Sequence, residues 1–277
     1  MTATKLITHH VNKLWGRRDL PAMFGAPGAD QEPVGEIWFQ HPDGDEPELL
    51  VKYLFTSERL SIQVHPDDDA AQAAGYPRGK DEAWVVIAAE PDAEIGIGLR
   101  APATREQLRL AALDGSIEGM MDWRRGKVGD VYYSQAGTVH ALGPGLGVIE
   151  VQQNVDLTYR LYDYGRPREL HLDEGIAVSN PGPFEPLMEP YDKDDGRRIL
   201  ADARAFVLER WTGARAGSIE SDDPTWLIPV GGSGTIDGEP LVAGTVWIST
   251  ERTSLSIDEG ADLLVAYKGP LRDQPLR

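Results

Sequence analysis

Short runs of alternating apolar and polar residues, divided by turns rich in glycine and proline, most constrain the fold of this chain. In the run RLSIQVH (59–65) every second residue is apolar, so Gln63 and His65 share one face of a predicted strand. The content of 30 Gly and 20 Pro in 277 residues favours a loop-rich β protein over a helical bundle. We therefore predict an all-β fold with minor helices. Further strands are predicted at GEIWFQ, LLVKYLF, EAWVVIAA and AEIGIGL.

Three regions depart from the strand pattern. The segment TREQLRLAALDGSIEGMM, with Thr104 as a candidate N-cap, predicts one or two short helices near 104–121. Residues 1–30 are interpreted as a polar entry segment. A stretch rich in proline and charge after about residue 179 predicts a linker. We therefore expect a larger unit at 1–180 and a smaller β unit, with its linker, at 181–277.

Composition excludes several classes of function. The net charge of −18 argues against nucleic-acid binding, which depends on basic patches that neutralise phosphates. The absence of Cys excludes disulfides and thiolate ligands. No apolar segment approaches the roughly 20 residues of a membrane helix, and the N-terminus lacks an apolar signal core. We expect a cytoplasmic protein with no nucleic-acid or membrane partner, as a monomer or a homodimer.

Four polar residues form a candidate metal-binding set. Gln63 and His65 lie two residues apart on one predicted strand, Glu82 begins another, and His140 follows a glycine turn. Two imidazoles, a carboxylate and an amide oxygen suit zinc, and they could also accept manganese, cobalt or iron. Each histidine taken alone is more typical of a surface or hydrogen-bonding residue, so the prediction depends on their conjunction.

A second group of residues near this set is charged. Lys80 precedes Glu82 by two positions, so strand alternation would bring its ammonium to the same side. Arg160 lies in an apolar and aromatic context, where an unpaired guanidinium would be costly. The alternative for this arginine is a buried salt bridge to Asp156 or Asp163.

Four motifs in order resemble one family. The segments LSIQVHPDD, GKDEAW, GDVYYSQAGTVHALGPG and EVQQNVDLTYRLYDYGRPRELHLDE closely resemble class I mannose-6-phosphate isomerases of the short bacterial type, from about Trp15 to Gly175. The resemblance implies a cupin β-barrel, or jelly roll, followed by a second, smaller cupin-like unit. Since no His follows His171, we expect no metal ligands in that second unit. Two positions differ from the family pattern: Gln135 replaces a proline, and Phe39 replaces an acidic residue.

The resemblance also implies roles for individual residues and one zinc ion per chain. The loop of 16 residues between the second and third ligands (66–81) is a family feature. The implied assignments are Gln63, His65, Glu82 and His140 as zinc ligands, Arg160 as the catalytic arginine, Lys80 as the motif lysine, and Ser61 and Arg166 as phosphate contacts.

The expected reaction is the interconversion of mannose 6-phosphate and fructose 6-phosphate through an enediol(ate), with this small phosphosugar as the partner. Glu150, Asp156 and Lys80 are candidates for proton transfer, and the sequence leaves the choice open. Three alternatives are a metal-dependent isomerase or epimerase of another sugar, an iron-dependent cupin oxygenase, and a non-catalytic sugar-binding cupin.

Overall fold

The structure is a computed structural model that describes residues 3–25, 27–28, 30–220, 223–273 and 275–276. All pairs of neighbouring strands in its four sheets are antiparallel. Strands dominate and the helices are few and short, so the prediction of an all-β fold with minor helices is confirmed. No helix among the described residues is long and apolar enough to cross a membrane.

All the helices of the described residues lie within the first 180 positions. Their elements are β1 (Ala3–Lys5), β2 (Ile7–Arg17), a 3₁₀ turn (Ala22–Phe24), β3 (Val34–Gln40), β4 (Leu49–Phe55), β5 (Ile62–Val64), α1 (Asp68–Ala73), β6 (Glu82–Ala89), β7 (Glu94–Leu99), α2 (Arg105–Asp114), α3 (Ile117–Met120), β8 (Met121–Arg125), β9 (Val131–Ser134), β10 (His140–Leu142), β11 (Leu146–Gln153), β12 (Tyr159–Tyr162) and α4 (Leu172–Val178).

The remaining residues add ten strands. They are β13 (Tyr191–Asp192), β14 (Arg197–Asp202), β15 (Val207–Thr212), β16 (Arg215–Ile219), β17 (Thr225–Gly231), β18 (Gly234–Ile236), β19 (Glu239–Pro240), β20 (Trp247–Ser249), β21 (Thr253–Ile257) and β22 (Asp262–Tyr267).

The four sheets form two β units. In the first unit, a five-stranded sheet (β12-β5-β10-β7-β8) packs face to face on a six-stranded sheet (β2-β3-β4-β11-β6-β9) around an apolar cluster that includes Leu54, Trp84 and Leu142. In the second unit, a seven-stranded sheet (β1-β20-β17-β22-β15-β14-β13) and a four-stranded sheet (β16-β21-β18-β19) enclose a separate cluster that includes Trp211 and Trp247.

The outer faces of the sheets in the first unit are also covered. Helices α2 and α4 pack on the five-stranded sheet, where Leu108 and Ile176 join one buried cluster. The six-stranded sheet packs on the seven-stranded sheet, and Tyr53 and Trp226 belong to the cluster between them. Burial of these apolar faces is the main favourable contribution to folding. The interior of the first unit is thereby held between two covered sheets.

The N-terminal residues differ from the prediction. The expected polar entry segment contains β1 and β2, and β1 pairs with β20 in the sheet of the C-terminal half. Strand β2 is the edge of its sheet, and most of its first eight residues are exposed. An exposed edge strand needs no alternating apolar pattern, so its sequence resembles a polar loop.

The helices are only partly anticipated. The helix N-cap at Thr104 is confirmed: its hydroxyl accepts a hydrogen bond from the backbone N–H of Gln107 at 3.1 Å. The loop 66–81, by contrast, contains the unpredicted helix α1, capped by Asp67, whose carboxylate accepts from the N–H of Ala70 at 2.8 Å. Helix α4 was also missed. Both are short helices whose apolar faces are decided by tertiary packing.

Candidate metal centre

Three buried side chains converge between the two sheets of the first unit. The Oε1 atom of Glu82 lies 3.4 Å from His65 Nε2 and 3.0 Å from His140 Nε2. A ligand atom from each residue lies within 4.8 Å of those from the other two. All three side chains are at most 2% exposed. This group of His65, Glu82 and His140, called the His–Glu–His group below, forms as predicted from sequence.

The strands bring these residues together by their pairing register. Gln63 of β5 is the cross-strand partner of His140 of β10, so their side chains share one face of the five-stranded sheet. Glu82 is the first residue of β6 in the opposing six-stranded sheet. His65 follows directly after β5 on the face that carries Gln63. The group therefore spans the gap between the two sheets.

Backbone carbonyls fix the two imidazole rings. His65 Nδ1 lies 2.9 Å from the carbonyl oxygen of Leu157, and His140 Nδ1 lies 2.9 Å from that of Thr138. Because a carbonyl oxygen can only accept, each Nδ1 carries the hydrogen, and each Nε2 presents its lone pair to Glu82. This is the arrangement found around histidines that bind metals.

Several buried atoms of the group lack hydrogen-bond partners. Among the described residues, His65 Nε2 and both carboxylate oxygens of Glu82 make no well-aligned hydrogen bond. Buried polar atoms without partners are rare, since each costs free energy comparable to a lost hydrogen bond. A divalent cation between these atoms would satisfy all of them, so the residues present fit a metal site.

Gln63 can complete the ligand set. Its Nε2 lies 3.3 Å from His140 Nε2, and its Oε1 accepts a hydrogen bond from the Ser61 hydroxyl at 3.1 Å. A half-turn of the amide would exchange its two ends, because the Ser61 hydroxyl can accept as well as donate. The amide oxygen would then face the His–Glu–His group as a fourth ligand.

The electrostatics give the group the protonation states that metal ligands need. Burial and the Lys80 ammonium lower the pKa of His65 to about 3, so this ring is neutral near pH 7. Burial alone would raise the pKa of Glu82, but the Lys80 ammonium holds it well below its usual value. Neutral imidazoles and an ionised carboxylate are the forms that bind a cation.

Lys80 is the cation beside this group. Its Nζ lies 3.3 Å from Glu82 Oε2, and its side chain is 7% exposed. Burial lowers the pKa of Lys80, but the carboxylates of Glu82, Glu150 and Glu36 outweigh it and raise the pKa overall. The predicted neighbourhood of Lys80 and Glu82 is therefore present, with the lysine held as an ammonium.

A second polar layer lies beneath the group. Glu150 accepts a hydrogen bond from Trp84 Nε1 at 3.0 Å and lies 3.3 Å from the Lys52 ammonium. Lys52 is also 3.8 Å from Glu36 and lies over the Trp38 ring, 4.6 Å from its centroid. The side chains of these charged residues are at most 10% exposed. Glu150 is thus a buried, paired carboxylate directly below the candidate metal centre.

The structure separates the remaining predicted residues. Asp156 is exposed and lines a cavity of about 440 Å³ together with Leu50, Lys52 and Trp38. The cavity is adjacent to the metal centre along one row of paired residues. In that row, Gln152 pairs with Leu50, which lines the cavity, and with Glu82 of the metal centre. Asp156 is therefore placed on the open side of the site.

Arg160 lies beside the metal centre but forms neither of the salt bridges considered for it. It is the cross-strand partner of Gln63, so both side chains share one face. Its guanidinium donates to the carbonyl oxygen of Glu169 at 2.7 Å, and its Nε has no partner among the described residues. Asp163 pairs instead with Arg168 at 2.7 Å. Burial lowers the pKa of Arg160.

Ser61 and Arg166 make different contacts. Ser61 is buried and donates to Gln63 within the site. Arg166 donates to the carbonyl oxygen of Arg59, before the start of β5, and lies 3.6 Å from Asp163. Arg166 is therefore not brought into the His–Glu–His group.

The two departures from the family pattern lie outside the group. Phe39 is 2% exposed and packs against Tyr53, with ring centroids 5.6 Å apart. Gln135 is exposed, in the turn before β10.

Three site residues were missed from the sequence. Lys52 interrupts the otherwise apolar strand LLVKYLF, and Trp84 alternates with Glu82 along β6. Gln152 occupies the same face of β11 as Glu150. A charged residue in the middle of an apolar strand, and a polar alternation such as that of EVQQ, were signals that could have identified two of them.

No family model matches the chain. The chain is 34% identical over 223 residues to mannose-6-phosphate isomerase ManA of Bacillus subtilis (strain 168), covering 74% of this chain and 69% of that protein. It is 32% identical over 212 residues to mannose-6-phosphate isomerase of Streptococcus mutans serotype c (strain ATCC 700610 / UA159), covering 72% and 67%.

The fold agrees with a solved relative over both β units. The crystal structure of the mannose 6-phosphate isomerase from Bacillus subtilis is similar with a TM-score of 0.83 and 27% sequence identity. The match covers 96% of this chain and 99% of that one. The second β unit, which contains none of the four sequence motifs, is therefore also part of the shared architecture.

Proposed function

This chain belongs to the family of mannose-6-phosphate isomerases, and we propose that it interconverts mannose 6-phosphate and fructose 6-phosphate at the site formed by His65, Glu82 and His140. The observation that carries the proposal is the His–Glu–His group, in which His65 Nε2 and both oxygens of Glu82 are buried without a hydrogen-bond partner among the described residues. The adjoining cavity of about 440 Å³ has room for a sugar phosphate.

We propose zinc as the metal, with Gln63 as the fourth ligand. Two imidazole nitrogens, a carboxylate and an amide oxygen form a borderline set that zinc favours. When bound, zinc would polarise the carbonyl and hydroxyl oxygens of the sugar and stabilise the negative charge that develops there. The protein's part is to hold a neutral His65 and an ionised Glu82 in place.

The reaction requires a group that moves a proton. An aldose becomes a ketose when a proton leaves C2 and is returned to C1, by way of an enediol(ate). Glu150 and Asp156 are the two carboxylate candidates: Glu150 is buried below the metal centre, and Asp156 lines the open cavity. Lys80 holds its proton beside Glu82, so we assign it to donating a hydrogen bond to the sugar or its phosphate.

We propose that Arg160 stabilises negative charge on the reacting sugar. Arg160 is the cross-strand neighbour of Gln63, and its Nε is buried without a partner among the described residues, which supports this role. A charge-assisted hydrogen bond to an oxyanion would satisfy that atom. Ser61 and Arg166 stay predicted phosphate contacts, although Arg166 would have to leave the carbonyl oxygen of Arg59 to serve.

The test measures fructose 6-phosphate formed from mannose 6-phosphate in a coupled assay, with protein stripped by EDTA and then resupplied with zinc. We expect activity to be lost on stripping and restored by zinc. The Arg166→Ala variant, assayed on mannose 6-phosphate and on mannose, tests the phosphate assignment. A folded, zinc-loaded protein that does not turn over mannose 6-phosphate would contradict the proposed function.

A further inference from the structure

Gln152 is a fully buried glutamine at the end of β11, with no role assigned so far. It pairs with Glu82 of β6 on one side and with Leu50 of β4 on the other. Cross-strand partners share a face, so the Gln152 side chain lies between the metal centre and the cavity that Leu50 lines.

The orientation of its amide is fixed by chemistry. Gln152 Nε2 lies 2.9 Å from the carbonyl oxygen of Gln153 and 3.1 Å from that of Val155. Carbonyl oxygens can only accept, so the NH₂ end must face both of them, and both of its hydrogens are used. The oxygen end is therefore the free one.

That free oxygen has no partner. Among the described residues, nothing donates a hydrogen bond to Gln152 Oε1, although the atom is buried. Buried acceptors are almost always paired, so this oxygen is suited to accept from a donor of a bound molecule. The nearby ammonium of Lys80 lies at Glu82 instead.

A sugar bound between the metal centre and the cavity would offer such donors, since each of its hydroxyl groups carries one hydrogen. We propose that Gln152 is a sugar-binding residue whose Oε1 accepts a hydrogen bond from a non-reacting hydroxyl, at C3 or C4 of the substrate. The inference rests on the proposed function, because it takes the phosphosugar as the occupant. Gln152 then selects substrates that carry that hydroxyl.

The expected selectivity follows from the cost of a buried polar group left without its partner. A site built to pair with a hydroxyl rejects an analogue lacking it more strongly than an apolar pocket would. The 3-deoxy and 4-deoxy analogues of mannose 6-phosphate probe the two positions.

The experiment is a double-mutant cycle between the protein and the sugar. Gln152→Met keeps the length of the side chain and removes the acceptor, and kcat/KM is measured for mannose 6-phosphate and both deoxy analogues. We expect the variant to lose about tenfold in kcat/KM for mannose 6-phosphate. For one deoxy analogue, variant and wild type should agree within about twofold, because the contact is already absent.

The matched control is the neighbouring glutamine on the opposite face of β11. Gln153 accepts from the Asp81 N–H at 2.9 Å and donates to Asp68 at 3.0 Å, so both ends of its amide are paired. Gln153→Met also disturbs this end of the strand, but it should lower kcat/KM by the same factor for all three sugars. Zinc content measured in each variant separates sugar binding from metal loss.

The outcomes are distinguishable from failure of the proposed function. A wild-type protein inactive on mannose 6-phosphate would contradict that function itself. An active wild type, with Gln152→Met equally impaired on all three sugars or not impaired at all, would overturn the inference about Gln152. Coupling to one hydroxyl, with zinc content unchanged, would support it and identify the position.

Discussion

The interior of the first β unit holds buried charged side chains, whereas that of the second is filled mainly by apolar ones such as Trp211 and Trp247. The two units share a similar construction from two packed antiparallel sheets. Their difference is in how buried polar atoms are satisfied. In the first unit, His65 Nε2 and the oxygens of Glu82 lack hydrogen-bond partners among the described residues.

The second unit contains a buried acid as well, but this acid is fully paired. Glu209 accepts from Trp211 Nε1 at 2.6 Å and from the Tyr267 hydroxyl, and it lies 3.2 Å from Arg197. Arg197 also donates to the carbonyl oxygens of Arg272 and Asp273. This network ties the C-terminal residues to the sheet and leaves no free acceptor on Glu209.

The comparison teaches how to distinguish a site from a structural network inside similar folds. Burial of a carboxylate is common to both units, so burial alone does not indicate function. Unpaired ligand atoms that converge on one point indicate a site that can bind a cation, whereas a closed set of hydrogen bonds indicates a structural role.

The largest effect expected from this difference is loss of activity on removing a ligand. His140→Ala should lower kcat/KM at least about 100-fold and reduce the bound zinc, since even outer partners of metal ligands are worth that much. His10→Ala, at an exposed position on β2, is the matched control. Wild-type activity and zinc content in His140→Ala would contradict the proposal that the active site lies in the first unit.

The opposite result is expected in the second unit. Glu209→Leu should lower the free energy of unfolding by about 3–5 kcal/mol, because it removes the buried carboxylate that pairs with Arg197 and accepts from Trp211 and Tyr267. The kcat/KM of the folded variant should be unchanged. Asp192→Ala removes an exposed pair with Arg198 and should cost less than about 1 kcal/mol. A fall in the kcat/KM of folded Glu209→Leu would contradict the purely structural role of this network.

A smaller effect sharpens the comparison within the first unit, where two carboxylates compete for proton transfer. We expect Glu150→Gln to lower kcat about 100-fold with zinc retained, because a buried carboxylate below the metal centre is the better-placed base. Asp156→Asn, exposed on the cavity, should cost less than about tenfold. The reverse ranking would assign the base to Asp156.

Much of the site could be predicted from the sequence because its residues sit on short segments with strong local patterns. Gln63 and His65 alternate on one strand, and Glu82 begins a strand that apolar residues mark clearly. The lysine two positions before it follows from the same local geometry. The main strands of both units could be predicted from local patterns of the same kind.

The rest depends on contacts between distant segments. That Gln152 lies beside Glu82 follows from a register between β11 and β6 that no local pattern specifies. The pairing of Lys52 with Glu150 likewise joins strands far apart in sequence. The exposed edge strand β2 has no buried face, so its sequence lacks an alternating apolar pattern. The short helices α1 and α4 are stabilised by tertiary packing that no local pattern reveals.

The smallest effect expected concerns the pH dependence of stability in the metal-free protein. His65 has a folded-state pKa of about 3, below the ordinary value of 6.5, because it is buried beside Lys80. As the pH falls below 6.5, the unfolded chain binds a proton at His65 and the folded chain does not. Stability therefore falls with pH, by about 1 kcal/mol between pH 7 and 5.5 for this one group.

Denaturant unfolding of EDTA-treated protein at these two pH values measures that change. His65→Gln removes the titrating group, so its stability should fall by about 1 kcal/mol less over the same interval. His10→Gln, exposed on β2, should keep the wild-type pH dependence. Equal slopes in wild type and His65→Gln would mean that the folded protein already accepts a proton at His65. That result would contradict the interpretation of His65 as a neutral, unpaired imidazole, which distinguishes the first unit from the second.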